Sequence, residues 1–191
     1  MPNGSPIPLP RHLAQMWGRE DSTPRRGPKP TITIRDIGRA ALLIADQHGW
    51  EAVTMKAVAT ELGMTTMSLY RYVDTKDDVL EILADEAYGP ADPTLTASGA
   101  WRERLTAWAN AVVDGFRMHP WLATLPLSRP PLGPHVLSWT NSGLQAFDDT
   151  GLGGQEKLNA LLVVDGFVRQ HVRQSSQLGV FPTRPTTTSD G

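Results

Sequence analysis

The 191-residue sequence contains no cysteine. That excludes a disulfide framework, cysteine-ligated zinc, an iron–sulfur cluster and a thiol nucleophile. No apolar run approaches the roughly 18–20 residues that cross a bilayer. The first residues carry neither a basic cluster nor the apolar core of a secretory signal. The expectation is a soluble, cytoplasmic protein with no membrane partner. Histidines and acids are also poorly grouped. Asp46 with His48, His119 and His135 match no metal or triad spacing, so no metal, no cofactor and no enzymatic activity are expected.

What the chain does contain is unevenly spread. Its 16 prolines and 17 glycines crowd into the first 30 residues, the stretch 120–134 and the last dozen. Net charge is −2 overall, which by itself argues against a nucleic-acid partner. Counted by segment, residues 1–76 hold 10 Lys and Arg against 7 Asp and Glu, while residues 77–191 hold 8 against 13. Trp101, Trp108, Trp121 and Trp139 all fall in the acidic part. A mildly basic front and an acidic, tryptophan-rich back read as two modules with different partners.

Between the breakers the pattern is helical, and no segment reads as a strand. Residues 1–30 lack periodicity and read as a flexible, proline-rich arm ending in Arg25, Arg26 and Lys29. Thr33 with Asp36 starts a helix bearing Ile37, Ala40, Ala41, Ile44 and Ala45, and Gly49 stops it. Thr54 caps a second helix through Met55, Val58, Ala59 and Leu62, ended by Gly63. Thr65 or Thr66 opens a third segment holding Leu69, Tyr70 and Tyr72. Thr75 with Asp78 caps a fourth helix. The fold class expected is all-α: a three-helix helix-turn-helix unit over 31–76, a helical effector-binding and dimerisation domain over 77–180, and a disordered tail over 181–191.

Two short helices joined by a glycine turn are a helix-turn-helix. Its second helix exposes Thr65, Thr66, Ser68, Arg71 and Tyr72, a set rich in donors and acceptors. Such a helix fits a major groove about 12 Å wide. In the second half, Trp101, Leu105, Trp108, Val112 and Phe116 form one apolar helix face. Leu158, Leu161, Leu162, Asp165, Val168 and Val172 form another. Aromatics at this spacing are usually plain core. Four tryptophans with Phe116 and Phe147, closed by a rigid loop carrying Ser128, Arg129 and His135, also have the composition of a small-molecule pocket.

Residues 49–80 resemble the DNA-binding domain of the tetracycline-repressor (TetR) family. The recurring pieces are Gly49, the Thr54 cap, Val58-Ala59, Leu62-Gly63, Ser68-Leu69-Tyr70, Tyr72-Val73 and Lys76. Trp17-Gly18-Arg19 and the run from Arg25 to Pro30 resemble the leader of many actinobacterial members. His119-Pro120-Trp121, Ser128-Arg129-Pro130 and the helix 155–174 resemble the ligand-binding domain of the tetracycline-repressor subgroup.

The resemblance implies that Thr65, Thr66, Met67 and Ser68 face bases in the major groove of a double-stranded operator. Met67 is suited to a thymine methyl. Arg71 is suited to a guanine edge or to phosphate. Tyr70 and Tyr72 are assigned to phosphates or to packing under the helix. Thr54, Lys56 and Lys76 lie near helix N-termini, where backbone amides favour phosphate. Arg25, Arg26 and Lys29 follow the backbone, enter a minor groove, or form a solvated leader.

For the second domain the resemblance aligns Trp108, Val112 and Pro126 with ligand-facing positions, joined by Leu158, Leu161 and Asp165. Phe116, Trp139 and Arg129 complete the pocket expected, with His119, His135 and Asn141 as polar anchors. The metal-binding histidine of the tetracycline repressor itself falls on Pro126, which argues against a metal–tetracycline chelate. The function implied is a repressor that binds a near-palindromic operator as a homodimer and is released by a small apolar or aromatic effector. The polar, proline-broken stretch after Val180 resembles a tail and not a pairing helix, so either the dimer relies on helix 155–174 alone or the chain is a shortened member of the family. The alternative is a helical DNA-binding protein with no effector.

Overall fold

Thr33 starts a helix because its side chain and that of Asp36 exchange hydrogen bonds. The Asp36 amide donates to Thr33 Oγ1 at 3.2 Å and the Thr33 amide donates to Asp36 Oδ2 at 2.8 Å. These satisfy end amides that have no partner inside the helix. The Thr33 hydroxyl and amide together hold the Asp36 carboxyl below its ordinary range. In the computed structural model, which describes residues 9–19 and 32–179, this helix is the second. The order is α1 (Arg11–Met16), α2 (Ile34–His48), α3 (Met55–Glu61), α4 (Thr66–Leu69), α5 (Lys76–Tyr88), α6 (Trp101–Met118), α7 (Pro134–Gln145) and α8 (Gly154–Gln177). Short 3-10 turns lie at Trp50–Ala52, Pro120–Ala123 and Asp148–Thr150. No strand occurs among the described residues, and the all-α expectation holds.

The chain divides into two compact units, Met1–Glu86 with Leu127–Pro134, and Ala87–Pro126 with His135–Gly191. This break comes later than the one expected after Lys76. The cause is α5, whose Val79, Leu80, Ile82 and Leu83 are buried. Helix α2 approaches it so closely that a Cβ on Gly38 would sit 3.1 Å from Ile82 Cγ2 and 3.2 Å from Glu86 Cβ. Ile37, Val53, Val58 and Leu69 are fully buried in the same unit. Burying each such side chain contributes about 1.5–3 kcal/mol.

The proline-rich arm needs a correction. Its residues Arg11–Met16 are helical, with His12 and Leu13 buried. Prolines and glycines flank this run (Pro10 before it, Gly18 at φ +65° after it) and do not interrupt it. The tail 181–191 lies outside the described residues.

In the second unit α6, α7 and α8 pack closely. A Cβ on Gly143 of α7 would lie 2.5 Å from Leu161 Cδ1 of α8 and 2.9 Å from Trp108 Cε2 of α6. Buried Arg104 ties the end of α7 to α6. Its guanidinium donates to Ala146 O at 3.1 and 3.3 Å, to Gly99 O at 2.8 Å and to Asp149 Oδ2 at 2.8 Å. Trp101 stacks on Phe147, with ring centroids 6.3 Å apart. Part of the aromatic surplus is therefore spent on core, away from Trp108 and Trp139.

Candidate functional site

The turn between α3 and α4 is set by Gly63. Its φ is +63°, and nothing lies within 4 Å of where a Cβ would sit, so backbone conformation rather than space selects glycine. The Thr54 hydroxyl caps α3, accepting from the Ala57 amide at 3.1 Å. The Thr65 hydroxyl caps α4, accepting from the Ser68 amide at 3.2 Å. Thr65 Oγ1 lies 3.0 Å from Ser68 Oγ, and Arg71 Nη2 donates to that Ser68 oxygen at 3.2 Å. This small network fixes two hydroxyls and a guanidinium on one end of α4.

Outward from α4 stand Thr65, Met67, Tyr70 and Arg71, with Met67 77% exposed. Thr66, Ser68 and Tyr72 are half-buried, and Leu69 and Val73 point into the core. The helix is shorter than the segment expected to reach Tyr72. Tyr70 already occupies its C-cap, and residues 70–73 continue in hydrogen-bonded turns. The next cap intervenes: Asp78 Oδ2 accepts the amides of Asp74 and Thr75 at 2.9 and 3.0 Å, and Thr75 Oγ1 accepts the Asp78 amide at 3.2 Å.

Around this head sit the expected phosphate contacts. Thr54 and Lys56 are exposed on α3. Lys76, the first residue of α5, places Nζ 5.7 Å from the centroid of the Trp50 ring, a cation–π support that limits where the ammonium points. Arg25, Arg26 and Lys29 lie outside the described residues.

In the second unit the expected effector residues separate into two groups. Trp108, Val112, Phe116 and Leu161 are buried and Trp139 is half-buried. The Trp108 indole donates to Trp139 O at 2.9 Å, and the Trp139 indole donates to the carbonyls of Gly89 and Tyr88 at 3.0 and 3.3 Å. Pro126 and Asn141 are exposed, and Leu158 is half-buried like Trp139.

Sequence reasoning missed two members of it. Tyr88 packs edge-on to Phe116 and tilted against Trp139, with centroids 6.4 and 6.3 Å away. Arg169 donates to the Tyr88 hydroxyl at 3.0 Å and to Leu122 O at 3.1 Å, and its guanidinium lies 5.1 Å from the Phe116 centroid. Asp165 lies 3.8 Å from Arg169. Burial pushes the Asp165 carboxyl up, against the pull of Arg169. Burial likewise pushes the Tyr88 phenol up. The only sequence signal was that Arg169 falls four residues after Asp165 on the apolar stripe of α8.

Arg129, expected in the effector pocket, is placed elsewhere. Its guanidinium donates to Asp78 Oδ1 at 2.7 Å and to Glu81 Oε2 at 2.8 Å, within the first unit. Two buried carboxylates on α5 attract the cation more strongly than an aromatic cluster can. His12 Nε2 lies 3.0 Å from Glu81 Oε2. Burial alone pushes the Glu81 carboxyl up, but contacts from His12, the Leu132 amide and Arg129 outweigh it and hold it below the ordinary glutamate range. Asp78 is pushed up by burial too, and is brought below its ordinary range by Arg129, the Asp74 amide, His12 and the Thr75 amide.

A folded-state value below the unfolded one means that these carboxylates stabilise the fold while ionised. That stabilisation is complete above the unfolded values, near 4, and is lost as pH falls through the folded ones. The urea midpoint is therefore expected to drop as pH falls below about 4, and the drop is expected to be shallower in Glu81→Gln. Parallel pH profiles for the two proteins would contradict this.

Known proteins share both halves. Residues 37–83 match the family described as bacterial regulatory proteins, tetR family, and residues 92–186 match the tetracyclin repressor-like C-terminal domain. The HTH-type transcriptional repressor DrrR1 of Streptomyces coeruleorubidus is 40% identical over 161 residues, which is 83% of this chain and 58% of that protein. The chain spans less than two thirds of the length of the curated relatives it matches first. Among solved structures, Streptomyces coelicolor ActR in complex with actinorhodin superposes with a TM-score of 0.69 at 25% identity, covering 84% of this chain and 74% of ActR. BioQ with its double-stranded DNA operator gives 0.65 at 26% identity, covering 78% and 89%. Among the described residues no helix is long and apolar enough to cross a membrane. With both of its units matched in chain order, the chain belongs to the TetR family of bacterial transcriptional regulators.

Proposed function

We propose that the chain is an effector-responsive repressor that binds a near-palindromic operator as a dimer. The observation that carries this reading is the outward face of α4, where Met67 and Arg71 stand exposed beside a hydroxyl pair held by its own cap. Thr65, Thr66, Met67, Ser68 and Arg71 read bases. Thr54, Lys56, Tyr70, Tyr72 and Lys76 take phosphates, with Arg25, Arg26 and Lys29 as further basic contacts. BioQ, solved on its operator, supports the DNA partner.

Dimerisation is supported by α8, whose Leu162, Val163 and Phe167 are 60%, 72% and 72% exposed. Three large apolar side chains exposed on one helix suit a second copy. Two recognition helices about 34–36 Å apart then meet successive major grooves.

The effector reading rests on Trp108, Phe116, Trp139 and Leu161 with Asp165 and Arg169, a mainly aromatic cluster holding a few polar groups. ActR, solved with actinorhodin, supports a small-molecule ligand. Such a ligand shifts operator binding only through unequal affinity for the two states. One observation favours a second reading, DNA binding without an effector: Gly143 packs Leu161 and Trp108 with no slack. Tryptophan quenching by small aromatic compounds, followed by loss of DNA binding, separates the two.

The DNA-binding reading is tested on a duplex that the wild-type protein selects from a randomised pool. Arg71→Ala is expected to lose about 1–3 kcal/mol and relax one base position. Lys76→Ala is expected to weaken all duplexes alike and to lower the salt slope by about one. Unchanged affinity in both variants removes the reading.

A further inference from the structure

One buried charge cluster is used neither by α4 nor by the aromatic residues of the second unit. His12, Asp78 and Glu81 are 1%, 5% and 2% exposed. Three segments distant in sequence meet there. From α1, His12 faces both carboxylates, its Nδ1 lying 3.5 Å from Asp78 Oδ1 and its Nε2 3.0 Å from Glu81 Oε2. From residues 127–134, Arg129 bridges Asp78 and Glu81, and the Leu132 amide donates to Glu81 Oε1 at 3.1 Å. The Trp17 indole closes the ring by donating to Leu132 O at 2.9 Å. A Cβ on Gly133 would collide with the Asp85 carboxylate and the Met16 methyl, so the segment lies hard against α5 and α1.

Stability alone does not account for this choice. Buried ion pairs are often replaceable by apolar residues without loss, and the neighbours Val79, Leu80, Ile82 and Leu83 are apolar. Asp78 shows what the cluster adds. One of its oxygens receives Arg129, and the other receives the amides of Asp74 and Thr75 that begin α5. Both oxygens turn about a single Cβ–Cγ bond. If the first loses its partner, the second is no longer held on the two amides.

We infer that Arg129, backed by His12, is a positioning residue for operator binding, because it fixes Asp78 in the orientation that caps α5 and so places Thr75 and Lys76 for backbone phosphate. The inference rests on the operator reading above.

The test uses the full chain and the duplex selected from a randomised pool. Arg129→Met keeps the side-chain length and removes the charge. It is expected to weaken binding about tenfold and to lower the slope of log K against log salt by about one, as Lys76→Met does. Combining the two is expected to lose no more slope than Lys76→Met alone. Amide exchange at Asp74 and Thr75 is expected to speed up at least tenfold. Arg129→Lys, which returns a cation that reaches one carboxylate, is expected to recover most of the slope while leaving exchange several-fold faster than wild type.

A folded Arg129→Met protein with the wild-type slope and wild-type exchange overturns the inference. Weaker binding with an unchanged slope also overturns it, since that reports general destabilisation. Should Arg129→Met not fold, Arg129→Lys decides, and unaltered exchange at both amides then counts against the inference. A wild-type protein that selects no duplex refutes the operator reading and this inference with it. Selection by the wild type, with variants that match it, refutes the inference alone.

Discussion

Phe116→Ala is expected to lower the unfolding free energy of the second unit by about 3–5 kcal/mol. The ring is wholly buried, with Tyr88 at its edge and the Arg169 guanidinium over its face. Truncation removes the transfer contribution of the ring and leaves a cavity whose walls are held by other bonds. Trp139 is tied to the carbonyls of Tyr88 and Gly89, and Trp108 to Trp139 O, so the site cannot simply collapse. The lost aromatic pair accounts for about 0.5–1.5 kcal/mol of this, and desolvated Arg169 loses its cation–π partner as well. Phe116→Leu, which keeps most of the volume, is expected to cost below about 1.5 kcal/mol. Calorimetry resolves the outcome, at roughly 2–4 °C in midpoint per kcal/mol for a chain of this size. A change below 1 kcal/mol would mean that the ring borders space already open, which would strengthen the effector reading at the expense of the packing one.

Most of the first unit was legible because its signals are local. Thr33 with Asp36, Thr54, Thr65, and Thr75 with Asp78 each satisfy amides three or four residues away. Such chemistry survives without knowledge of the rest of the chain. Gly63 is equally local, since its positive φ comes from the turn itself. The outward face of α4 was read only in part: Thr65 and Arg71 are exposed, whereas Thr66, Ser68 and Tyr72 are half-buried and Tyr70 is exposed.

What escaped depends on partners remote in sequence. Helix α1 spans only Arg11–Met16, too short to be stable by propensity. Its hold comes from Glu81, 69 residues from His12, and from Leu132, 115 residues from Trp17. Arg129 was assigned to the pocket because its chain neighbours are; its partner Asp78 is 51 residues away. Arg169 and Tyr88 are separated by 81 residues. An arginine on a helix reads as solvated until the phenol and the carbonyl it satisfies are seen. The exposed apolar face of α8 could be read in part: Leu162 belongs to the apolar stripe, whereas Val163 and Phe167 depart from it, and all three are exposed.

The same cluster yields the second large effect, expected for Glu81→Ala at about 3–5 kcal/mol. Three groups depend on this carboxylate: His12, Arg129 and the Leu132 amide. Removing it takes the acceptor from the part-buried Leu132 amide. It also leaves Arg129 to satisfy itself on Asp78, and leaves His12 of α1 only its 3.5 Å contact with Asp78. Against a net stability of about 5–15 kcal/mol for a domain, that is a large fraction. The contribution belongs to the set and not to the pairs within it. Replacing the cluster together, as His12→Leu with Glu81→Met and Arg129→Met, is expected to lose less than Glu81→Ala, because His12 and Arg129 are then no longer left beside a missing carboxylate; Asp78 alone stays buried and charged, with its hold on the two amides loosened. Urea denaturation of the three proteins decides. A triple variant at least as unstable as Glu81→Ala would mean that each ion pair contributes on its own, and a loss below 1 kcal/mol in Glu81→Ala would mean that water replaces the carboxylate.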